Sequence, residues 1–136
     1  MKQKEKKNHT RSFTILILIS SMLLVGLSGY SSYFLSASAK KLAPPIEQMD
    51  KAIDDADWGN VQRLYDELQN GWKQYEKIWP ALIDHKEITD IESTFAQLEH
   101  MVEQKDKNEA ERMLALLKYY IEHVPKAEKV NLQNIL

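Results

Sequence analysis

The chain has 136 residues, which is the length of about one domain. Charged residues make up 28% of it and hydrophobic residues 43%, and the net charge of -2 gives no signature of nucleic-acid binding. The absence of cysteine excludes disulfides, thiolate metal sites, cysteine nucleophiles and lipid attachment to cysteine. Four glycines and four prolines are too few for a turn-rich β protein.

Charge divides the chain into three parts. Residues 1–11 carry a net charge of +4, residues 12–39 carry no charge, and residues 40–136 carry 13 basic and 19 acidic side chains. The uncharged part contains a largely apolar run from Phe13 to Leu35, and a bilayer core needs about 20 such residues. We therefore predict a basic cytoplasmic tip (1–11), a transmembrane anchor (12–39) and an extracytoplasmic domain (40–136).

Basic residues before the span favour an N-terminus inside the cell, because Lys and Arg beside a transmembrane helix tend to stay in the cytoplasm. These topology determinants are Lys2, Lys4, Lys6, Lys7 and Arg11. Tyr30 and Tyr33 suit the aromatic belt at the far interface, whereas Lys40 and Lys41 weaken the charge asymmetry. The expected protein is a single-pass protein of the cell membrane with its C-terminal domain outside.

A cleaved signal peptide is the alternative to an anchor. Ala37-Ser38-Ala39 fits a small-x-small cleavage site. Against cleavage, the apolar run is longer than the roughly 7–15 residues of a signal-peptide core. We favour the uncleaved anchor, and both interpretations place the domain outside the cytoplasm.

The part of the chain after the anchor has helical patterning throughout. Its clearest feature is an aromatic seam in which large rings recur every seven residues at Trp58, Tyr65, Trp72 and Trp79. Apolar residues interleave three positions later, a spacing that keeps one face of a helix against partner helices. Helices are predicted near 12–42, 45–55, 58–82, 85–104 and 107–124, with a short piece near 126–135.

Prolines and aspartates set the predicted helix boundaries. Pro44-Pro45 is expected to interrupt the helix that leaves the membrane, and Pro80 and Pro125 to kink or end later helices. Aspartate is the predicted N-cap of three helices, at Asp57, Asp84 and Asp106.

A shift of 49 residues superposes Asp57 on Asp106 and aligns the apolar positions around them. The repeated unit is a helix, an Asp-capped turn and a second helix. The predicted fold is therefore all-α, with an N-terminal transmembrane helix followed by an antiparallel four-helix bundle made of two helical hairpins.

Few residues suggest chemistry. The histidines lack the spacing of a zinc site, and the cluster of Asp54, Asp55 and Asp57 lacks the pattern of a calcium loop, so we expect no metal and no cofactor. Nucleophile and phosphate-loop motifs are absent, so we expect no catalytic residues.

The aromatic seam is interpreted mainly as core. The alternative is that some of its members contact a partner or ligand, with Trp58 and Trp79 at its ends the expected exposed members. The candidate contact residues are Trp58, Tyr65, Trp72, Trp79 and His85.

Four features of the chain occur together: a single N-terminal span, a Trp-rich helix, the Asp84-His85-x-Glu87-Ile88 motif, and a closing run from Asn131 to Leu136. In these features the chain resembles a known family, domain of unknown function 4363. The resemblance implies a small, helical, extracytoplasmic protein of Gram-positive bacteria, without a known activity and with a second membrane protein as partner. It supplies no catalytic residues, and the matched positions are expected to serve packing.

These observations predict an accessory protein without catalytic activity that binds an integral membrane protein. The alternative is a ligand-binding or sensory bundle that acts through a partner. The other expected partner is the lipid bilayer, nucleic acid is not expected, and assembly into homo-oligomers stays open.

Overall fold

The computed structural model describes the backbone of residues 2–135 and the side chains of residues 12–127, and this part of the chain is helical without a strand. The elements are α1 (Lys2–Asp54), α2 (Trp58–Lys73), a 3-10 helix (Trp79–Ala81), α3 (His85–Gln104) and α4 (Lys107–Ile135). The all-α prediction is confirmed, and α3 has the predicted bounds. Three other predicted boundaries are wrong.

From Ser12 to Leu27, α1 is an exposed and largely apolar helix. From Ser12 onward the helix is long and apolar enough to cross a membrane, although a core helix or a signal sequence can have the same length and composition. None of the side chains in its most apolar stretch is buried, and Phe13 is 66% exposed. Buried positions begin at Leu35 and continue along one face of the helix to Ile53.

Pro44 and Pro45 do not interrupt α1, so the predicted break between residues 42 and 45 is wrong. Each proline lacks the N–H that would bond four residues back, at a cost of roughly 3 kcal/mol in a helix interior. Pro45 and its neighbours Leu42 and Ile46 are buried against other helices. This continuous buried face supplies the packing energy that offsets the two lost backbone bonds.

The helix predicted over 58–82 ends at Lys73, which corrects the assignment of one continuous aromatic seam. Residues 74–78 form turns, and Pro80 lies in the first turn of the 3-10 helix. Pro80 cannot donate to the carbonyl of residue 76 and its ring crowds that oxygen, which disfavours a continuous helix at this point. The chain instead folds back, and Trp79 reaches the core from a separate element.

The last helix continues through Pro125 to Ile135, so the predicted end near residue 124 is also wrong. Val124 and Pro125 are both buried. As in α1, a proline is tolerated where the face around it packs against a neighbour. The side chains of the Asn131–Leu136 motif lie outside the described residues.

The helices pack into one bundle around a single apolar core. α1 packs against α2 and α4, and α3 packs against α4 and more lightly against α2. The largest buried side chains come from every element and include Leu35, Met49, Tyr65, Trp79, Leu98 and Leu114.

The turns after α1 and α3 repeat each other. Ala56 and Lys105 occupy equivalent positions and have positive φ angles of 54° and 53°. In both turns this residue and the next donate backbone hydrogen bonds to the last turn of the preceding helix, the pairing of a Schellman motif. Asp57 and Asp106 then accept a bond from the backbone N–H three residues on, at 3.3 Å and 3.2 Å. The two turns, 49 residues apart, therefore have the same backbone geometry as well as similar sequences.

Candidate functional site

Aromatic rings from α2, α3 and the 3-10 helix form one cluster. The ring of Trp72 stacks on Phe95 with centroids 6.0 Å apart, and its edge meets Trp79 at 5.2 Å. Tyr65 lies edge-on to Phe95 at 6.4 Å. Each such offset or edge-to-face pair stabilises the folded protein by roughly 0.5–1.5 kcal/mol, in addition to the free energy gained by burying the rings. The cluster thus joins the two halves of the bundle.

Trp79 is fixed by a long-range hydrogen bond. Its Nε1 donates to Ser38 Oγ at 3.0 Å, and the Ser38 hydroxyl lies 2.9 Å from the carbonyl oxygens of Phe34 and Leu35. Both partners are buried, and Trp79 is 0% exposed. The bond ties the turn after α2 to α1, and the burial of Trp79 rules out the alternative in which it is an exposed member of the seam.

Trp72 is buried without such a partner. It is 3% exposed, and within the described part of the chain its Nε1 has no hydrogen-bond acceptor. A buried unpaired donor costs about 1–3 kcal/mol, so it calls for an explanation. Tyr65, by contrast, is satisfied: its hydroxyl donates to the Phe95 carbonyl at 3.1 Å and accepts from Gln69 Nε2 at 3.2 Å.

A small cleft opens beside these rings, between α2 and α3. We call it the aromatic cleft; its volume is about 200 Å³, and its lining includes Tyr65, Trp72, Phe95, Glu76, Glu92 and Glu99. This volume is below the roughly 300–1,000 Å³ of most ligand pockets, so it suits only a small molecule or one side chain. Burial, and next Glu99, Asp66 and Glu103, raise the pKa of Tyr65 to about 12. Because three carboxylates line the cleft against the single cation of Lys73, the cleft favours a cation over an anion.

A larger cavity of about 430 Å³ lies between α1 and α2. Lys41, Pro45, Glu67 and Tyr75 are among its lining residues. Because Pro45 has no N–H, the carbonyl of Lys41 lacks its usual helical donor beside this cavity. The cavity has polar groups but no cluster of reactive side chains.

The other candidate residues are not brought together. Trp58 is partly buried at the start of α2, and His85 is exposed at the start of α3. The side chains of Lys2, Lys4, Lys6, Lys7 and Arg11 lie outside the described residues. Among the residues that are described, no group of three or more His, Asp or Glu side chains is positioned to hold a metal ion.

Comparison with protein-family models gives a match over residues 29–135, to a domain of unknown function (DUF4363). The chain belongs to the DUF4363 family. The match extends from the last residues of the apolar run to the end of α4. The sequence matches none of the curated proteins and none of the solved structures.

Two features of this DUF4363 protein were missed in the sequence. Ser38 was interpreted only as part of a cleavage site, yet it is the partner of Trp79 across 41 residues of sequence. Glu92 and Glu99 were not singled out, although they flank Phe95 on the helical spacing of one face of α3. That spacing was visible in the sequence, whereas the Ser38–Trp79 bond depends on the turn after α2.

Proposed function

We propose that this protein is a membrane-anchored, extracytoplasmic accessory protein without catalytic activity, which associates with an integral membrane protein. In the proposed arrangement α1 crosses the membrane from the cytoplasm. Its outer part and α2 form one hairpin, α3 and α4 form the other, and the two pack as an antiparallel four-helix bundle. The observation that carries the proposal is the continuity of α1 from its exposed apolar stretch into the core of the bundle.

Exposure along α1 supports an anchor. A soluble protein rarely leaves an apolar patch larger than a few hundred Å² in water, and here a whole stretch of helix is apolar and unburied. A bilayer would cover this surface, and every backbone group in it is already bonded within the helix.

The position of the small-x-small motif supports an uncleaved anchor. Cleavage after Ala39 would remove Leu35 from the core and Ser38 from its bond with Trp79. The family match also begins at residue 29, before the motif. A chain cut at Ala39 would therefore lose part of the region that defines the family.

The length of the bundle supports a partner in or at the same membrane. From Leu35 to Asp54, α1 extends roughly 30 Å at 1.5 Å per residue, and no spacer separates the apolar run from the core. A bundle held this closely reaches only about that far from the bilayer.

We expect the partner to bind at the outer end of the bundle, which contains the turns after α1 and α3, because of the charge of that end. Each hairpin has one half next to its turn, residues 43–70 in the first hairpin and 92–119 in the second. Together these two halves carry 13 acidic and 6 basic side chains. The two turns are neighbours, because Lys107 Nζ of one donates to the Asp54 carbonyl of the other at 2.9 Å. We expect this acidic end to meet a basic surface of the partner.

Topology is tested on the full chain with a C-terminal tag. In protoplasts, external protease should remove the tag while a cytoplasmic control protein stays intact. An N-terminal tag on the same chain should be protected and should remain attached to the full-length protein. A protected C-terminal tag would overturn the proposed orientation, and loss of the N-terminal tag from the mature protein would show cleavage.

Partner binding is tested by affinity capture from solubilised membranes. We expect one integral membrane protein in stoichiometric amount with the wild-type chain. The triple variant Asp50→Asn/Asp55→Asn/Glu103→Gln should recover several-fold less of it. The matched control Lys51→Gln/Lys105→Gln changes cations of the same end and should retain the partner. Equal recovery with all three chains would contradict the role of the acidic end.

The unpaired indole N–H of Trp72 favours a second candidate, a ligand-binding module. The aromatic cleft, which Trp72 lines, has carboxylates at its rim, so a small amine with a hydrogen-bond acceptor would pair with the carboxylates and, after a shift of the rings, with the buried indole N–H. Ethanolamine is a suitable probe. If the second candidate is correct, ethanolamine raises the melting temperature of the full chain in detergent, and Glu99→Gln abolishes the rise. No rise with the wild-type chain would exclude this class of ligand.

A further inference from the structure

The inner end of the bundle lies at the level where the apolar run of α1 ends. Tyr75, in the turn after α2, meets the ring of Phe34 with centroids 6.1 Å apart. Trp79, four residues later, is bonded to Ser38. Both α1 residues fall within or just beyond the apolar run that closes at Leu35. The turn at residues 74–78 is therefore held beside the outer end of the proposed span.

This end has the composition of a surface that contacts lipid headgroups. Ile78, the last residue of the turn, is 44% exposed, and Tyr75 earlier in the turn is partly exposed. Five lysines at this end of the bundle are exposed: Lys40, Lys41, Lys73, Lys77 and Lys126. We call these five the basic rim.

Shared cavities place three of the rim lysines near Tyr75 or near one another. Lys41 shares one cavity with Tyr75, and Lys40 shares another with Lys126. The carboxylates of the described residues at this end, apart from Asp90, are Glu76 and Glu122 near the rim and Asp84 and Glu87 at the start of α3, so the five lysines outnumber them by one. On α3 the remaining lysine of this end, Lys86, is already paired with Asp90 at 2.9 Å.

We propose that the basic rim and Ile78 seat the bundle on the anionic phospholipid headgroups of the membrane that α1 crosses. The inference rests on the proposed anchoring and adds a second contact with the same bilayer. The headgroup layer on each side is roughly 5–8 Å thick, and Lys40 lies about 7–8 Å beyond Leu35 along the helix. The lysines thus meet the phosphates while Ile78 and Tyr75 lie at the hydrocarbon boundary. This would fix the tilt of the bundle and leave its acidic end facing away from the membrane.

The test uses the full chain, which has no cysteine, reconstituted in vesicles of phosphatidylcholine or of phosphatidylcholine and phosphatidylglycerol in equal parts. Single-cysteine variants carry an environment-sensitive fluorophore at Ile78→Cys, at Asp55→Cys in the outer turn, or at Leu24→Cys in the apolar run. Spin-labelled lipids with the quencher near the headgroup or deep in the acyl chains report the depth of each label.

We expect shallow quenching of the Ile78 label to be at least twofold stronger than that of the Asp55 label, and stronger with phosphatidylglycerol than without it. Lys73→Gln/Lys77→Gln should weaken seating roughly fivefold per lysine, the attraction expected for each cation near an anionic surface. The matched variant Lys51→Gln/Lys105→Gln, at the outer end, should have no effect.

The Leu24 label separates the two proposals. If deep lipids do not quench it, the anchor itself is wrong. If they quench it while the Ile78 and Asp55 labels are quenched equally weakly, the anchor stands and the seating is overturned. If quenching at Ile78 is the same in both lipids and unchanged by Lys73→Gln/Lys77→Gln, the recognition of anionic headgroups is overturned.

Discussion

Two tryptophans that the sequence pattern treats alike have different polar environments. Trp72 and Trp79 are seven residues apart, both are buried, and their rings touch. The N–H of Trp79 is bonded to Ser38, whereas that of Trp72 is unpaired in the described part of the chain. The same substitution at the two positions therefore separates the energy of the hydrogen bond from that of ring burial.

Trp79→Phe should destabilise the protein by about 1–3 kcal/mol more than Trp72→Phe does. Both variants shrink a buried ring, but only the first removes a satisfied buried bond, whereas the second removes an unpaired donor. Denaturant unfolding of the full chain in detergent measures the difference. In a double-mutant cycle, Ser38→Ala should couple to Trp79→Phe by about 0.5–1.5 kcal/mol and to Trp72→Phe by nearly zero. Equal costs and equal couplings would mean that the Ser38 bond contributes nothing.

Tyr65, which lines the aromatic cleft, should make the stability of the protein depend on pH. Burial and nearby carboxylates raise its pKa to about 12 from an ordinary value of 10.0, so the folded protein holds this proton more tightly than the unfolded chain does. Its contribution to stability is complete below pH 10.0 and is lost as the pH rises through about 12. We expect the wild-type chain to lose roughly 2–3 kcal/mol more than Tyr65→Phe across this interval. Parallel slopes for the two proteins, measured by denaturant unfolding at each pH, would contradict a raised pKa.

At the scale of elements, proline is the residue whose effect depends most on its surroundings. Pro44 is exposed on α1 and contributes little to the core, whereas Pro45 beside it is buried. Both remove a backbone hydrogen bond from the helix, but only Pro45 gains packing in exchange. The two prolines should therefore affect the stability of the protein differently.

Pro44→Ala should stabilise the protein by about 1–3 kcal/mol, because alanine restores the bond to the Lys40 carbonyl at little loss of packing. Pro45→Ala should give a smaller gain or a net loss, since it also empties part of the buried face. Thermal or denaturant unfolding of the two variants in the same detergent compares them directly. Destabilisation by Pro44→Ala would indicate that the proline serves α1 in a way that its exposure does not show.

The sequence predicts the helices well where local signals decide them. Asp84 predicts the start of α3, and its Oδ1 accepts from the Lys86 backbone N–H at 2.8 Å. Local signals fail at Pro44-Pro45 and Pro125, because the energy that overrides a proline comes from helices distant in the sequence. The prediction of one continuous helix along the aromatic seam failed for a related reason. Its seven-residue spacing continues past Lys73, but the bond from Trp79 to Ser38 lies outside any local pattern.

At the scale of the whole molecule, charge is distributed unevenly along the bundle. The half next to the two turns carries 13 acidic and 6 basic side chains, whereas the opposite end contains the basic rim. The ion pairs in the acidic half, such as Arg63 with Glu67 and Arg112 with Glu109, are exposed and close in sequence. Pairs of this kind contribute little to stability, so the excess of carboxylates leaves a net repulsion in the folded state.

Salt should therefore stabilise this protein. Raising NaCl from about 0.05 M to about 0.5 M shortens the Debye length from roughly 14 Å to roughly 4 Å and screens the repulsion among the carboxylates. We expect the free energy of unfolding to rise by about 0.5–1.5 kcal/mol. Asp50→Asn/Asp55→Asn/Glu103→Gln should start from a higher stability and gain less, because part of the repulsion is already removed.

The same experiment separates general screening from ion binding. Screening depends on ionic strength, so CaCl₂ and NaCl at equal ionic strength should stabilise the chain to a similar extent. A specific divalent site would add stabilisation that saturates with calcium concentration. The described side chains include no group of three or more His, Asp or Glu that could form such a site, so we expect no saturating component. A saturating gain with calcium, lost in the triple variant, would instead make the acidic end a cation site.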